Sequence, residues 1–289
     1  MKLFLKRIFY FGFFISIFII FISFLLPIIK SNEPKDKNAI YIWGDSQAYQ
    51  GIDLILLNRK TNRICYSMAT HGAGVYDFLI FTEKVPENSQ VIMSLSKSAQ
   101  IREKSTDYNR TGLSISSLYT LYKNNYSCNE LYTIFNNNKL NNFTFCNNSE
   151  LYPYNDTIVY REPLSTFIKG YKKVPIYLLD KQNIYMEGIK KLIAKKCKII
   201  FVDFPFHSIL KKIEDKSPIK IKTQNFNKKI FKLFNKVIID TIQMSNHKQK
   251  MHDLTHLNAL GAKEVSRILV NYLNGKTNKG NIIFSTIKV

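Results

Sequence analysis

Short apolar runs separated by turn residues and helical stretches constrain this chain more than any other feature. Residues 39–43, 63–68, 90–95, 198–203 and 236–240 are rich in Ile, Val, Tyr, Phe and Met but too short for helices, so each is expected as a buried strand. Between them lie stretches with helical spacing. One is expected from the Gly44-Asp45-Ser46 turn through Asp53 to Leu57, one after Gly74 through Phe81, one over 183–196 and a closing one over 261–273. A parallel neighbour is reached only by a crossover of a dozen or more residues, and helices supply such crossovers here. The expected class is therefore α/β, a three-layer α/β/α arrangement around a central parallel sheet, with any ligand at the carboxyl ends of the strands.

An appendage precedes this pattern. Ile8 to Ile29 carries no charge and is dominated by Phe, Ile and Leu. A helix of ~20 such residues crosses the hydrocarbon core of a bilayer. Lys2, Lys6 and Arg7 stand before it, which favours a cytoplasmic N-terminus and a domain outside the cytoplasm. A signal-peptide core is shorter and ends in small residues, unlike Phe24-Leu25-Leu26-Pro27-Ile28-Ile29, so the expectation is an uncleaved single-pass anchor. The expected organisation is a tip and anchor over 1–30, a polar linker over 31–38, the α/β domain over 39–275 and a tail over 276–289. The domain carries an insertion at about 102–175, rich in Asn, Tyr, Ser and Lys. That length exceeds an ordinary connection, and its tyrosines argue for some order.

The formal net charge is +21, and Lys2, Lys6, Arg7 and Lys30 are the only charges through residue 30, so most of the excess belongs to the domain. A basic field of this kind suits anionic headgroups or anionic envelope polymers, although Lys- and Asn-rich composition gives the same excess without a partner. Nucleic acid is not an expected partner for a domain outside the cytoplasm. Cys65, Cys128, Cys146 and Cys197 have no CxxC spacing, so neither a zinc site nor any cofactor is expected. Cys128 and Cys146 share the polar middle segment and are the pair for a disulfide, whereas Cys65 and Cys197 lie in apolar runs and read as small core residues.

Two distant segments carry the chemistry. Trp43-Gly44-Asp45-Ser46 ends the first strand, and Asp253-Leu254-Thr255-His256-Leu257-Asn258 with Gly261-Ala262 lies near the C-terminus. A serine hydroxyl becomes a nucleophile when an imidazole takes its proton, and a carboxylate fixes the imidazole's tautomer. Ser46, His256 and Asp253 supply these groups, and the Asp-x-x-His spacing delivers base and orienter in one turn. Asp253 is also placed to cap the following helix, and the two roles are compatible.

These segments resemble the SGNH (GDSL-type) esterases and acyltransferases over roughly 39–98 and 198–273. The resemblance implies a flavodoxin-like SGNH fold with Ser46 as nucleophile, His256 as base and Asp253 as its orienter. It also implies an oxyanion hole built from the backbone of Ser46 and of Gly72 or Gly74. The family's third block carries an asparagine that completes the hole, but here the stretch is Ser94-Leu95-Ser96-Lys97-Ser98. Ser96, Ser98 or a residue of the insertion would have to replace it; one oxyanion donor is worth ~10²–10³ in rate. The expected function is a serine-dependent ester hydrolase or O-acyltransferase acting on acylated envelope polysaccharide, with a membrane partner that exports the acyl group in the transferase case. The alternatives are a non-catalytic glycan-binding or scaffold protein with a degenerate site, and an esterase of lipid or lipoprotein at the membrane surface.

Overall fold

The computed structural model describes residues 2–30, 36–94, 179–202, 204–205, 237–239, 250–275 and 283–285. The insertion at 102–175, the Cys128–Cys146 pairing, Ser96 and Ser98 lie outside the described residues.

Four strands, β1 (Ile40–Trp43), β2 (Cys65–Ser67), β3 (Gln90–Met93) and β4 (Lys198–Phe201), form one sheet in the order β2-β1-β3-β4. Every pairing in it is parallel: Tyr41 stands opposite Tyr66 on one side and Val91 on the other, and Val91 opposite Ile199. The α/β class with a parallel sheet is thus present.

Strand periodicity divides the core in two. On one face Tyr41, Trp43, Met93 and Phe201 pack with Phe78, Phe81, Tyr185, Ile189 and Leu192 of α4 (Val75–Lys84) and α5 (Leu179–Ala194). On the other, Ile40, Ile42, Ile92 and Ile200 pack with Ile52, Leu57, Val265 and Leu269, which belong to or flank α2 (Ser46–Gly51), α3 (Leu54–Thr61) and α6 (Ala259–Leu273). Both faces of β1 are apolar because both are covered, as a parallel sheet requires. β1 leads to β2 on one side and the chain then returns to β3 on the other. The strand order therefore reverses beside β1, the place where open α/β sheets take their ligands, beyond the carboxyl ends of the strands.

Two expectations are corrected. The helix after Ser46 is not continuous to Leu57 but breaks at Ile52 and Asp53. Asp53 re-caps the chain by accepting from Leu56 N–H at 3.0 Å, and its own N–H donates to Ser266 Oγ of α6 at 2.8 Å. The run at 236–240 does give a strand, β5 (Val237–Ile239), but it pairs antiparallel with β6 (Ile283–Ser285) in a separate two-stranded sheet, within the segment expected to be a tail.

At the N-terminus α1 (Lys2–Lys30) is a helix of 29 residues. Most of its described apolar side chains, among them Phe9, Phe11, Phe14 and Phe18, are exposed. Judged on residues whose side chains are described, which within α1 run unbroken only over 6–19, no helix is long and apolar enough to cross a membrane. Cys65 is buried and Cys197 half-buried, both as free thiols.

Candidate active site

Ser46 is the first residue of α2, directly beyond the carboxyl end of β1. Asp45 makes the turn: fully buried, it accepts from Gln47 N–H at 3.1 Å through its side chain and from Tyr49 N–H at 2.9 Å through its carbonyl. Gly44 allows the close approach this turn needs. A Cβ there would stand 2.5 Å from Ala48 Cβ and 3.2 Å from Ser94 Cβ, so a larger residue would push α2 off the sheet. The Ser46 N–H lies in the first turn of the helix, where the intrahelical ladder offers it no partner.

The other half of the site is the loop between Lys250 and Asn258. Met251 and Leu257, both buried, face each other in an antiparallel bridge at its base, and Asn258 N–H donates to Lys250 O at 3.1 Å. Leu254 is a further buried anchor. Within the loop, Asp253 Oδ1 accepts from Thr255 N–H at 2.7 Å, His256 N–H at 2.8 Å and Thr255 Oγ1 at 3.1 Å. These bonds satisfy the backbone of a tight turn and leave Oδ2 directed at the imidazole. The cap of α6 is Asn258, not Asp253: its side chain accepts from Leu260 and Gly261 N–H, each at 3.1 Å. Asp253 is therefore a turn former and ring orienter.

The two halves meet at hydrogen-bond distance. His256 Nδ1 lies 2.7 Å from Asp253 Oδ2, and His256 Nε2 lies 2.9 Å from Ser46 Oγ. With Asp253 accepting from Nδ1–H, Nε2 is left with the lone pair that faces the serine hydroxyl. Burial alone would push the Asp253 carboxyl upward. The His256 ring and its charge, with the N–H groups of Thr255 and His256, outweigh that and hold it at about 2. The carboxylate is thus ionised at any pH where a neutral imidazole acts as base.

The glycines after β2 behave differently from each other. Thr70 N–H donates to Gly44 O at 3.2 Å, which zips the 68–74 segment to the Gly44-Asp45-Ser46 turn. Gly72 is buried and has φ 73°, a left-handed conformation suited to glycine. Gly74 N–H donates to Asp77 Oδ2 at 2.8 Å, so its amide is already engaged as the cap of α4. Ser94, at the end of β3, is buried beside Gly44, while Ser98 lies outside the described residues.

Motif reading alone missed two features. Gln47 Nε2 donates to Thr255 O at 3.1 Å, and Gln50 Nε2 lies 3.2 Å from His71 Nε2, whose ring packs on Tyr49 at 4.7 Å between centroids. A glutamine following a motif serine has no distinctive signature, and its partner here is a backbone carbonyl 208 residues away. Among the described residues no group of three or more His, Cys, Asp and Glu is arranged to hold a metal ion.

No family model matches the chain, and no curated protein matches its sequence significantly.

Proposed function

We propose that this chain is an SGNH-type, membrane-anchored serine esterase or O-acyltransferase that forms an acyl-serine at Ser46. The observation that carries the reading is the hydrogen-bonded series from Ser46 Oγ through His256 to Asp253, at 2.9 and 2.7 Å. A glycine-bounded turn after the first strand and an Asp-x-x-His loop before the last helix supply it, as the family resemblance implies.

In the first step Ser46 Oγ attacks an ester carbonyl while its proton passes to His256 Nε2, and Asp253 stabilises the imidazolium. Ser46 N–H and Gly72 N–H supply the oxyanion hole, with a residue of the third block or of the insertion standing in for the asparagine. Collapse of the tetrahedral intermediate breaks the bond to the leaving alkoxide, which takes the proton from Nε2. Water or a glycan hydroxyl then gives its proton to the same nitrogen and attacks the acyl-serine, and Ser46 recovers its proton. Hydrolase and transferase differ only in this second nucleophile.

The position of Ser46 at the strand-order reversal suits a flavodoxin-like SGNH domain, since ligands of open α/β sheets sit there. An uncharged stretch from Ile8 to Ile29 and the described exposed phenylalanines of α1 support a single-pass anchor with the domain outside the cytoplasm. That location and the basic charge favour an acylated envelope polysaccharide as substrate, with a membrane acyl-export partner if the chain is a transferase. The missing asparagine favours the competing reading of a glycan-binding scaffold.

The test is acetate release by the full chain in detergent from a chromogenic acetyl ester and from O-acetylated glycans. The expected result is turnover that Ser46→Ala abolishes without change in melting temperature. Turnover equal in Ser46→Ala would contradict the serine mechanism, and absence of turnover in a folded chain would favour the scaffold.

A further inference from the structure

The nucleophile and its base come from elements 210 residues apart, so something must hold them in register. The Asp253–His256 pair needs no outside help, because its bonds lie within one turn. The Ser46–His256 distance instead depends on how α2 sits against the 251–257 loop. Gln47 follows Ser46 and Thr255 precedes His256, so the bond from Gln47 Nε2 to Thr255 O at 3.1 Å joins the immediate neighbours of both catalytic residues. The Gln47 side chain is buried, and its own N–H is fixed by Asp45 Oδ1 at 3.1 Å. A strut anchored at both ends and shielded from water is stiff where an exposed one would yield.

We propose that Gln47 is a positioning residue that sets the Ser46–His256 separation; this rests on the serine-site reading. It does not touch the reacting atoms. Proton transfer from Oγ to Nε2 requires hydrogen-bond distance, and a misplacement of about 1 Å costs about a hundredfold in rate. With the strut gone, the loop keeps its internal bonds while the contact to Ser46 loosens. Binding of an ester beside Ser46 is then untouched and the chemical step slows.

The test uses the full chain with Gln47→Met, which keeps the side chain's length and removes the donor, and Gln47→Glu, which sets a carboxylate against the Thr255 carbonyl. Asn58→Leu serves as control: it removes the acceptor for Cys65 N–H at 2.7 Å, at the amino end of β2, away from the carboxyl strand ends where Ser46 lies. The readouts are the rate of Ser46 labelling by a fluorophosphonate, kcat and KM on a chromogenic acetyl ester, and melting temperature. The expected result is labelling and kcat reduced about ten- to a hundredfold in Gln47→Met, further in Gln47→Glu, with KM unchanged. Asn58→Leu melts lower yet labels at the wild-type rate. Gln47 variants that label as fast as wild type, or slow only in step with lost folded protein, would overturn the positioning role and leave the serine-site reading standing. A folded wild-type chain that does not label would overturn both.

Discussion

Replacing Asp253 by Asn and by Ala separates its two jobs. The amide of Asn retains an oxygen in the place of Oδ1, which accepts from Thr255 N–H at 2.7 Å and His256 N–H at 2.8 Å, so the turn survives. In the place of Oδ2, 2.7 Å from His256 Nδ1, it offers only a donor. The ring must then protonate on Nε2 and present N–H to Ser46 Oγ at 2.9 Å, where it cannot accept the serine's proton. Loss of the correct tautomer in a serine triad costs ~10⁴ in kcat, or ~5.4 kcal/mol at ~1.36 kcal/mol per decade. Ala removes the turn acceptor as well, at a further cost of about 1–2 kcal/mol in stability for a partly exposed site. The assay is hydrolysis of a chromogenic acetyl ester alongside thermal melting. The expected pattern is near-equal loss of activity in both variants with a lower melting temperature in Asp253→Ala. A loss below about tenfold in Asp253→Asn would mean that the carboxylate serves the turn alone and would refute the orienting role.

Three other outcomes follow from the geometry. Because folding lowers the Asp253 carboxyl from 3.8 to about 2, its contribution is present above pH ~4 and is lost as pH falls through about 2. Discounted for solvent at a side chain 35 % exposed, this amounts to about 1–2 kcal/mol, so acid titration of the melting temperature should be shallower in Asp253→Asn, and an identical slope would contradict it. Lys195 Nζ donates to the carbonyls of Thr82, Glu83 and Val85 at 2.8, 2.8 and 2.9 Å, capping the C-terminus of α4. Lys195→Met should cost about 2 kcal/mol by urea unfolding, and no change would show that water caps that end equally well. Burial pushes the Cys65 thiol up to about 12, with Arg63 pulling weakly the other way, so Cys65 should resist alkylation at neutral pH until the chain unfolds. Rapid labelling in the folded state would place it outside the core.

The fold was legible where one local pattern decides the outcome. Ile40 and Ile42 alternate with Tyr41 and Trp43, and that run paired as expected because both faces are buried. The grouping of Ser46, His256 and Asp253 was legible because the Gly-Asp-Ser turn and the Asp-x-x-His spacing each set their side chains locally. What stayed hidden depends on partners far along the chain. The apolar spacing continues through Ile52, Leu54 and Leu57 as though one helix ran on, but Gly51 ends the first helix, Asp53 caps the next, and Ser266, far along the chain, accepts Asp53 N–H and holds the break. The 236–240 run reads as a strand without naming its neighbour, and β6 captured it antiparallel. Gln47 was silent for the same reason, since its partner is a carbonyl that every residue possesses.

Whether Ser46 is an activated nucleophile is read out by fluorophosphonate labelling of the full chain followed by peptide mapping. One covalent adduct is expected, on Ser46, and it disappears in His256→Ala while the protein stays folded. A folded chain without an adduct, or an adduct on Ser46 that persists in His256→Ala, would contradict it.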